Sequence, residues 1–406
     1  MGWFGAKNKV AADGGAAISD AEPLAEGAAR FRLCKLISLA SAVILLVVGI
    51  VVFDFEETVD TFRYLVKNLS GSEIVYGEMS APIAFDADSA VRCDSFRKDV
   101  AVVQKNGAAL YDTKGKLQYK DTFSFSSPQL LVADDVFLVY DLGGKTLKVY
   151  NAFSNIFTLE SDYPIFAVSL HADGTFAVAT SEQGYHAAVL VYNPSFQCVF
   201  KWRSPDKLVM DVAVCPYDDS KIAIAACKAD EGDFSSEIIL LSTRSEKIVS
   251  SVTLPDALAM MAVFSNESAK GFSVLTDSSL VTLSEKGETL ANNTFTSTDL
   301  SAYCLGEDYC VLAQKKSMVG STYTLKIISP AGEILQETDI HSQIFDIVAD
   351  HDAVYVLAYE TLYIFYPEEK GMRTYEVSRS FREILPFGDN TLGFVSDHTV
   401  CFMLLE

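Results

Sequence analysis

Histidine, tryptophan and basic side chains are scarce in these 406 residues. The five histidines, at 171, 186, 341, 351 and 398, are scattered, and no two have the His-x-x-x-His spacing that brings two imidazoles to one metal. There is no Gly-x-Ser-x-Gly elbow and no Gly-rich phosphate loop, so the common local signatures of hydrolases and nucleotide enzymes are missing. Accordingly no catalytic, cofactor-binding or metal-ligating residue is assigned, and no cofactor is expected. Lys and Arg number 32 against 54 Asp and Glu. Of these, 27 basic and 50 acidic residues follow residue 53, leaving −23 there. Such a surface repels phosphate backbones and anionic lipid headgroups, which argues against a nucleic-acid partner.

Cysteine is also too irregular to form a disulfide framework. Of the eight, Cys34 precedes a long apolar run and seven follow it, an odd number. Most lie inside apolar stretches, such as Cys215 and Cys227, and read as buried thiols. Cys304 and Cys310 flank Leu-Gly-Glu-Asp-Tyr and could face each other across a hairpin.

The apolar run divides the chain. Leu36 to Phe53 contains no charge, and with Leu33 and Cys34 it approaches the ~20 residues that a helix needs to cross a bilayer. A transmembrane helix is therefore expected over 33–53, in contact with membrane lipid. Arg30, Arg32 and Lys35 precede it, and the nearest basic residues beyond are Arg63 and Lys67. The positive-inside rule then puts the N-terminus in the cytoplasm and the rest of the chain outside. Phe53-Asp54-Phe55 offers no small-residue cleavage site, which argues against a signal peptide. Residues 1–32, rich in Ala and Gly, are expected to be a disordered cytoplasmic tail. Ala6 stands where a myristoylation motif needs Ser or Thr. Over 54–71 a short stalk helix is expected, because Phe55, Val59, Phe62, Val66 and Leu69 recur at helical spacing before Ser70-Gly71. That 55–69 face either lies against the domain or the lipid interface, or pairs with a second copy.

From about residue 72 the period changes to two, in short runs rich in Val, Leu, Ile, Tyr and Phe broken by turn residues. These runs repeat. Tyr111, Tyr150, Tyr192, Leu241, Leu283, Ile328, Phe365 and Met403 end equivalent strands at intervals of 39, 42, 49, 42, 45, 37 and 38. Another strand precedes each, often led by an acidic residue or glycine, as in Asp99-Val-Ala-Val-Val and Gly174-Thr-Phe-Ala-Val. Four strands per unit of ~40 residues is the arithmetic of a propeller blade. The fold expected is all-β, an eight-bladed β-propeller over 72–406, with seven blades as the alternative because the 49-residue interval holds an insertion around Asp230 to Phe234. Only three strands are visible in the last unit. A strand from the Ile74 to Phe85 window would complete it and close the ring.

Leu110-Tyr-Asp-Thr-Lys-Gly-Lys-Leu-Gln-Tyr119, Leu283-Ser-Glu-Lys-Gly-Glu-Thr-Leu290 and Ile328-Ser-Pro-Ala-Gly-Glu-Ile-Leu335 resemble the repeat of quinoprotein-like (PQQ-like) β-propellers. The layout is similar to that of membrane-anchored propellers of unknown function from Gram-positive bacteria. With only Trp3 and Trp202, the chain lacks the regular blade-docking Trp of quinoprotein enzymes, and Tyr119 stands nearest to that place. Trp202 is followed by Arg203, so the WD dipeptide is absent as well.

His171-Ala-Asp-Gly-Thr175 has some likeness to a calcium loop, but Asp173-Gly174 between apolar runs reads first as a hairpin turn. An active site with one residue per blade could draw on Asp211, Arg203 or Glu360, although no pair of carboxylates stands out as acid and base. The resulting expectation is a non-catalytic, surface-anchored interaction or scaffold module that holds an envelope protein partner. The alternatives are an extracytoplasmic enzyme, as a quinoprotein-type dehydrogenase or glycan hydrolase, or a ligand sensor.

Overall fold

The structure, a computed structural model, describes Ser41, 79–80, 82–85, 91–230, 233–317, 320–388 and 390–405. Apart from Ser41, the expected tail (1–32), membrane span (33–53) and stalk helix (54–71) lie outside these residues. Residues 72–406 form one compact unit, and its described strands make eight four-stranded antiparallel sheets. Seven are consecutive in sequence: blades 1 to 7 cover 92–122, 128–160, 167–204, 208–255, 259–294, 300–340 and 344–376. Within each, the first strand is innermost and the fourth outermost.

Blade 8 takes Glu383–Pro386, Thr391–Val395 and Thr399–Leu404 from the end of the chain and Ile83–Ala84 from its start, in that order outward. Ile83 pairs with Val400 and Ala84 with Thr399, and Met79 bridges to Met403. The Ser80 amide donates to the Phe402 carbonyl at 2.7 Å. This is the closure expected from the 74–85 window. The 49-residue interval does not cost a blade. Its insertion lengthens the central hairpin of blade 4, made of Asp218–Asp230 and Asp233–Ser242.

The burial pattern explains why these residues form these strands. Second strands are covered on both faces by neighbouring blades and read as continuous apolar runs, as in Phe137–Asp141 and Gly271–Thr276. Outer strands face a neighbour on one side only and alternate, as in Asn155–Glu160. Apolar clusters fill the interfaces between neighbouring blades from blade 2 round to blade 1. Between blades 8 and 1 the cluster comprises Ile83, Phe85, Val100, Val102, Leu385, Val395, Val400 and Phe402. Tyr119 docks blade 1 on blade 2: its hydroxyl accepts the Asn155 amide at 3.1 Å and its ring lies 5.9 Å from that of Tyr150.

The glycines of the three quoted repeats sit in left-handed turns between third and outer strands, with φ of 80° at Gly115, 83° at Gly287 and 86° at Gly332. At Gly332 a Cβ would also fall 2.4 Å from the Ala291 Cβ in blade 5. Gly332→Ala should therefore cost about 2–3 kcal/mol, adding interblade overpacking to the left-handed penalty. Gly143→Ala has φ of 76° and nothing within 4 Å, so it should cost only about 1 kcal/mol. Urea unfolding of both variants checks the difference, and equal losses would refute the close-approach argument.

Cys304 and Cys310 are not opposed across their hairpin. Cys304 pairs with Val311 and Leu305 with Cys310, so the two side chains leave opposite faces of the sheet and both thiols are free.

Candidate functional site

Inner strands run from an upper face, where chain passes between blades, to a lower face, and outer strands run the reverse way. Met79 pairs near the end of Thr399–Leu404, at the lower face. The inner strands of blades 4 to 7 share one irregularity near the upper face. Register shifts between Val209 and Asp211, Ala259 and Met261, Leu300 and Ala302, and Ile344 and Asp346. Each shift leaves one residue unpaired, which bends the strand and re-aims that side chain. The residues concerned are Met210, Met260, Ser301 and Phe345. Phe166 and Arg382 take the corresponding places in blades 3 and 8, where their amides donate to Ala179 and Val395.

Large exposed apolar side chains among the described residues fall largely into two sets. One set is spread around the lower rim at the starts of outer strands, for example Leu117, Val199, Ile334 and Met372. The other converges on the axis at the upper mouth: Phe166, Leu208, Met210, Met260, Met261 and Tyr303. Inner strands of neighbouring blades are in close contact at every junction but that of blades 5 and 6, where Tyr303 reaches Met261, so the second set is the more contiguous. Two of its members touch: the Tyr303 hydroxyl lies 3.4 Å from the Met261 sulfur. On the opposite side of the mouth the Arg382 guanidinium stacks 4.5 Å from the Phe345 ring, beside Tyr359.

Just below this collar the inner strands carry carboxylates. Asp211 accepts the Ala262 amide of blade 5 at 2.9 Å, and Asp346 accepts the Ile384 amide of blade 8 at 2.8 Å. These two are pins that satisfy the next blade's inner edge, as Ser169 does for the Val214 amide at 3.0 Å. Asp94 accepts only its neighbour's amide, Ser95, at 2.7 Å, and Glu383 has no hydrogen-bond partner among the described residues. None of the four carboxylates forms an ion pair among those residues.

Their acidity is weakened accordingly. Burial pushes Asp94 and Asp211 up to about 6 against their backbone hydrogen bonds. Burial also raises Asp346. Glu383 rises to about 7 through burial and then repulsion from Asp346 and Asp94, with Arg92 opposing.

The residues singled out in the sequence do not converge. Asp211 is a pin on the inner strand of blade 4. Arg203 lies on the outer strand of blade 3, bound to Glu182 at 2.9 Å and 5.5 Å from the Tyr185 ring. Glu360 occupies an exposed turn of blade 7 with φ of 60°. His171 bonds the Pro216 carbonyl at 3.0 Å and pairs with Asp173 in its turn, whereas His351 pairs with Asp308 at 2.7 Å four blades away. Among the described residues no group of three His, Cys, Asp or Glu side chains could hold a metal ion.

Eight four-stranded sheets in a ring, closed by the start of the chain, define a β-propeller. More particularly, the chain belongs to a family of unknown function, DUF5711, which it matches over residues 77–405. No curated protein matches it. Among solved structures it is similar to the C-terminal WD40 domain of Sif2, at 14% identity and a TM-score of 0.56, covering 76% of this chain and 93% of that one. It is also similar to BamB from Moraxella catarrhalis, at 12% identity and a TM-score of 0.52, covering 80% of this chain and 98% of that one. At these identities the likeness concerns the fold alone.

Proposed function

We propose that this chain is a single-pass, membrane-anchored, extracytoplasmic propeller that acts as a non-catalytic interaction module, holding a protein partner of the cell envelope at its upper mouth. The observation that carries the reading is the apolar collar: Phe166, Met210, Met260, Met261 and Tyr303 are left exposed where strands converge, two of the five, Met210 and Met260, being bulge residues. Exposed apolar patches of this kind mark interaction sites, and methionine suits surfaces that adapt to a partner. The anchor rests on the uncharged run from Leu36 to Phe53 and its basic flank.

Two measurements test the two halves. Cys198 is an exposed free thiol, and a membrane-impermeant maleimide applied to intact cells should label it, with Cys198→Ser removing the label. Labelling only after lysis would overturn the extracytoplasmic placement. A photo-crosslinking residue at Met260 should yield one discrete envelope-protein adduct in native membranes, abolished by Met210→Asp. A crosslinker at Met372 on the lower rim should not yield it. Equal yields from both positions, or none from Met260, would overturn the mouth as the docking surface.

A further inference from the structure

Building on that reading, we infer that the mouth receives an extended segment of the partner in which a lysine or arginine is flanked by apolar side chains, the collar holding the flanks and the carboxylates below holding the cation. The first argument is charge complementarity. Asp94, Asp346 and Glu383 come from three successive blades, 1, 7 and 8, and the first two are close enough to disfavour the ionisation of Glu383. Arg92 is the one positive group that acts on Glu383 among the described residues. Glu383 is half-buried and lacks a hydrogen-bond partner among those residues, whereas Asp346 is already engaged with the Ile384 amide. A half-buried carboxylate beside two like charges, with only Arg92 acting against them among the described residues, is costly, and an incoming cation would relieve that cost.

The second argument is what the collar excludes. A purely apolar segment would take water from these carboxylates without replacing it, and an acidic one would add repulsion. A cation lacking apolar neighbours would leave Phe166, Met210 and Met260 uncovered. The pairing of an apolar rim with an acidic floor thus selects a mixed segment, and the convergence of the inner strands favours a single extended strand of chain over a broad folded surface.

The test uses two labelled nonapeptides with phenylalanine and leucine flanking a central lysine or a central glutamate, titrated onto the full-length chain by fluorescence anisotropy. The lysine peptide should bind at least about tenfold more tightly, a difference that one well-placed charge contact supplies. Glu383→Gln, which relieves repulsion and so keeps the fold, should weaken the lysine peptide about tenfold and leave the glutamate peptide no weaker. Met260→Ser should weaken both. Equal binding of the two peptides, or an unchanged lysine peptide in Glu383→Gln, would overturn the inference. If neither peptide binds while the Met260 crosslink persists, this segment chemistry is wrong and the docking surface stands. If both fail, the proposed function falls with it.

Discussion

A chain ending before Thr399 should not melt cooperatively. It loses Val400, Phe402, Met403 and Leu405, all buried, and with them the partner of Ile83–Ala84. At roughly 1.5–3 kcal/mol for each buried side chain, the loss approaches the ~5–15 kcal/mol that stabilises a whole domain. The damage also spreads beyond blade 8. Val100 and Val102 of blade 1 pack on Phe402 and Val400, while Leu392 and Met403 pack with Leu357 and Leu362 of blade 7. Blades 1 and 7 would therefore expose apolar faces, and Thr391–Val395 an unpaired edge. A chain beginning at Val91 is the subtler variant. It keeps three strands of blade 8 and removes only Ile83, Phe85 and the Met79 and Ser80 contacts, so it should retain a transition lowered by about 10 °C or more. Calorimetry distinguishes the outcomes, and a chain ending before Thr399 that melts like the intact one would refute closure as the source of cooperativity.

Much of this architecture was legible because propeller blades write themselves into sequence period. Tyr111, Tyr150 and Tyr192 each end a third strand, just before a turn that starts the outer one. The degenerate later copies, at Leu283 or Phe365, keep the same place because burial there requires only an apolar side chain. Closure could be read as well, since a last unit with three strands requires a fourth from elsewhere.

The mouth was not legible, for a physical reason. Met260 and Met261 sit inside Ala259–Phe264, and in sequence a bulge is only an apolar doublet within an apolar strand. Its signature is a slip in the period-two alternation, and it becomes visible only when the pairing partner is known. Arg203 failed as a channel candidate for the complementary reason. Its strand, Cys198–Ser204, alternates like any half-exposed strand, yet it is outermost, where a charge meets solvent and Glu182 rather than the axis. Likewise the six-residue separation of Cys304 and Cys310 is compatible with facing thiols, and a one-residue offset in register puts them on opposite faces. Spacing fixes which strand a residue is on; register fixes where its side chain goes.

Stability should fall as pH rises from about 5 to about 8, and the channel carboxylates should be the cause. Asp94 and Asp211 are raised from 3.8 to about 6 and Glu383 from 4.5 to about 7. A carboxylate held above its unfolded value binds its proton more tightly when folded. Its contribution is therefore complete below about pH 4 and disappears as pH passes through about 6 and then 7. Groups of the opposite kind limit the acid side: Asp121 is held low by its bonds to Lys148 and Tyr150 against burial, and Glu237 by Ser251 and Lys207 against burial. Their stabilisation is lost only as pH falls below the ordinary carboxylate range, so the two effects occupy separate windows. For Glu383 the rise corresponds to roughly 3 kcal/mol, and to about 2 kcal/mol after allowance for solvent at the channel. The groups that set it are Asp346, Asp94 and Arg92, and Gln at position 383 removes the charge while keeping the shape. Glu383→Gln should therefore raise the melting temperature at pH 8 by roughly 4 °C, leave it nearly unchanged at pH 5 and flatten the dependence between them. Adding the lysine peptide at pH 8 should recover part of the same gain in the wild-type chain and raise the melting temperature of Glu383→Gln less at the same peptide concentration, which ties the cost of the buried carboxylate to its proposed use. A wild-type melting temperature that rises between pH 5 and pH 8 would contradict the assignment of these carboxylates as destabilising.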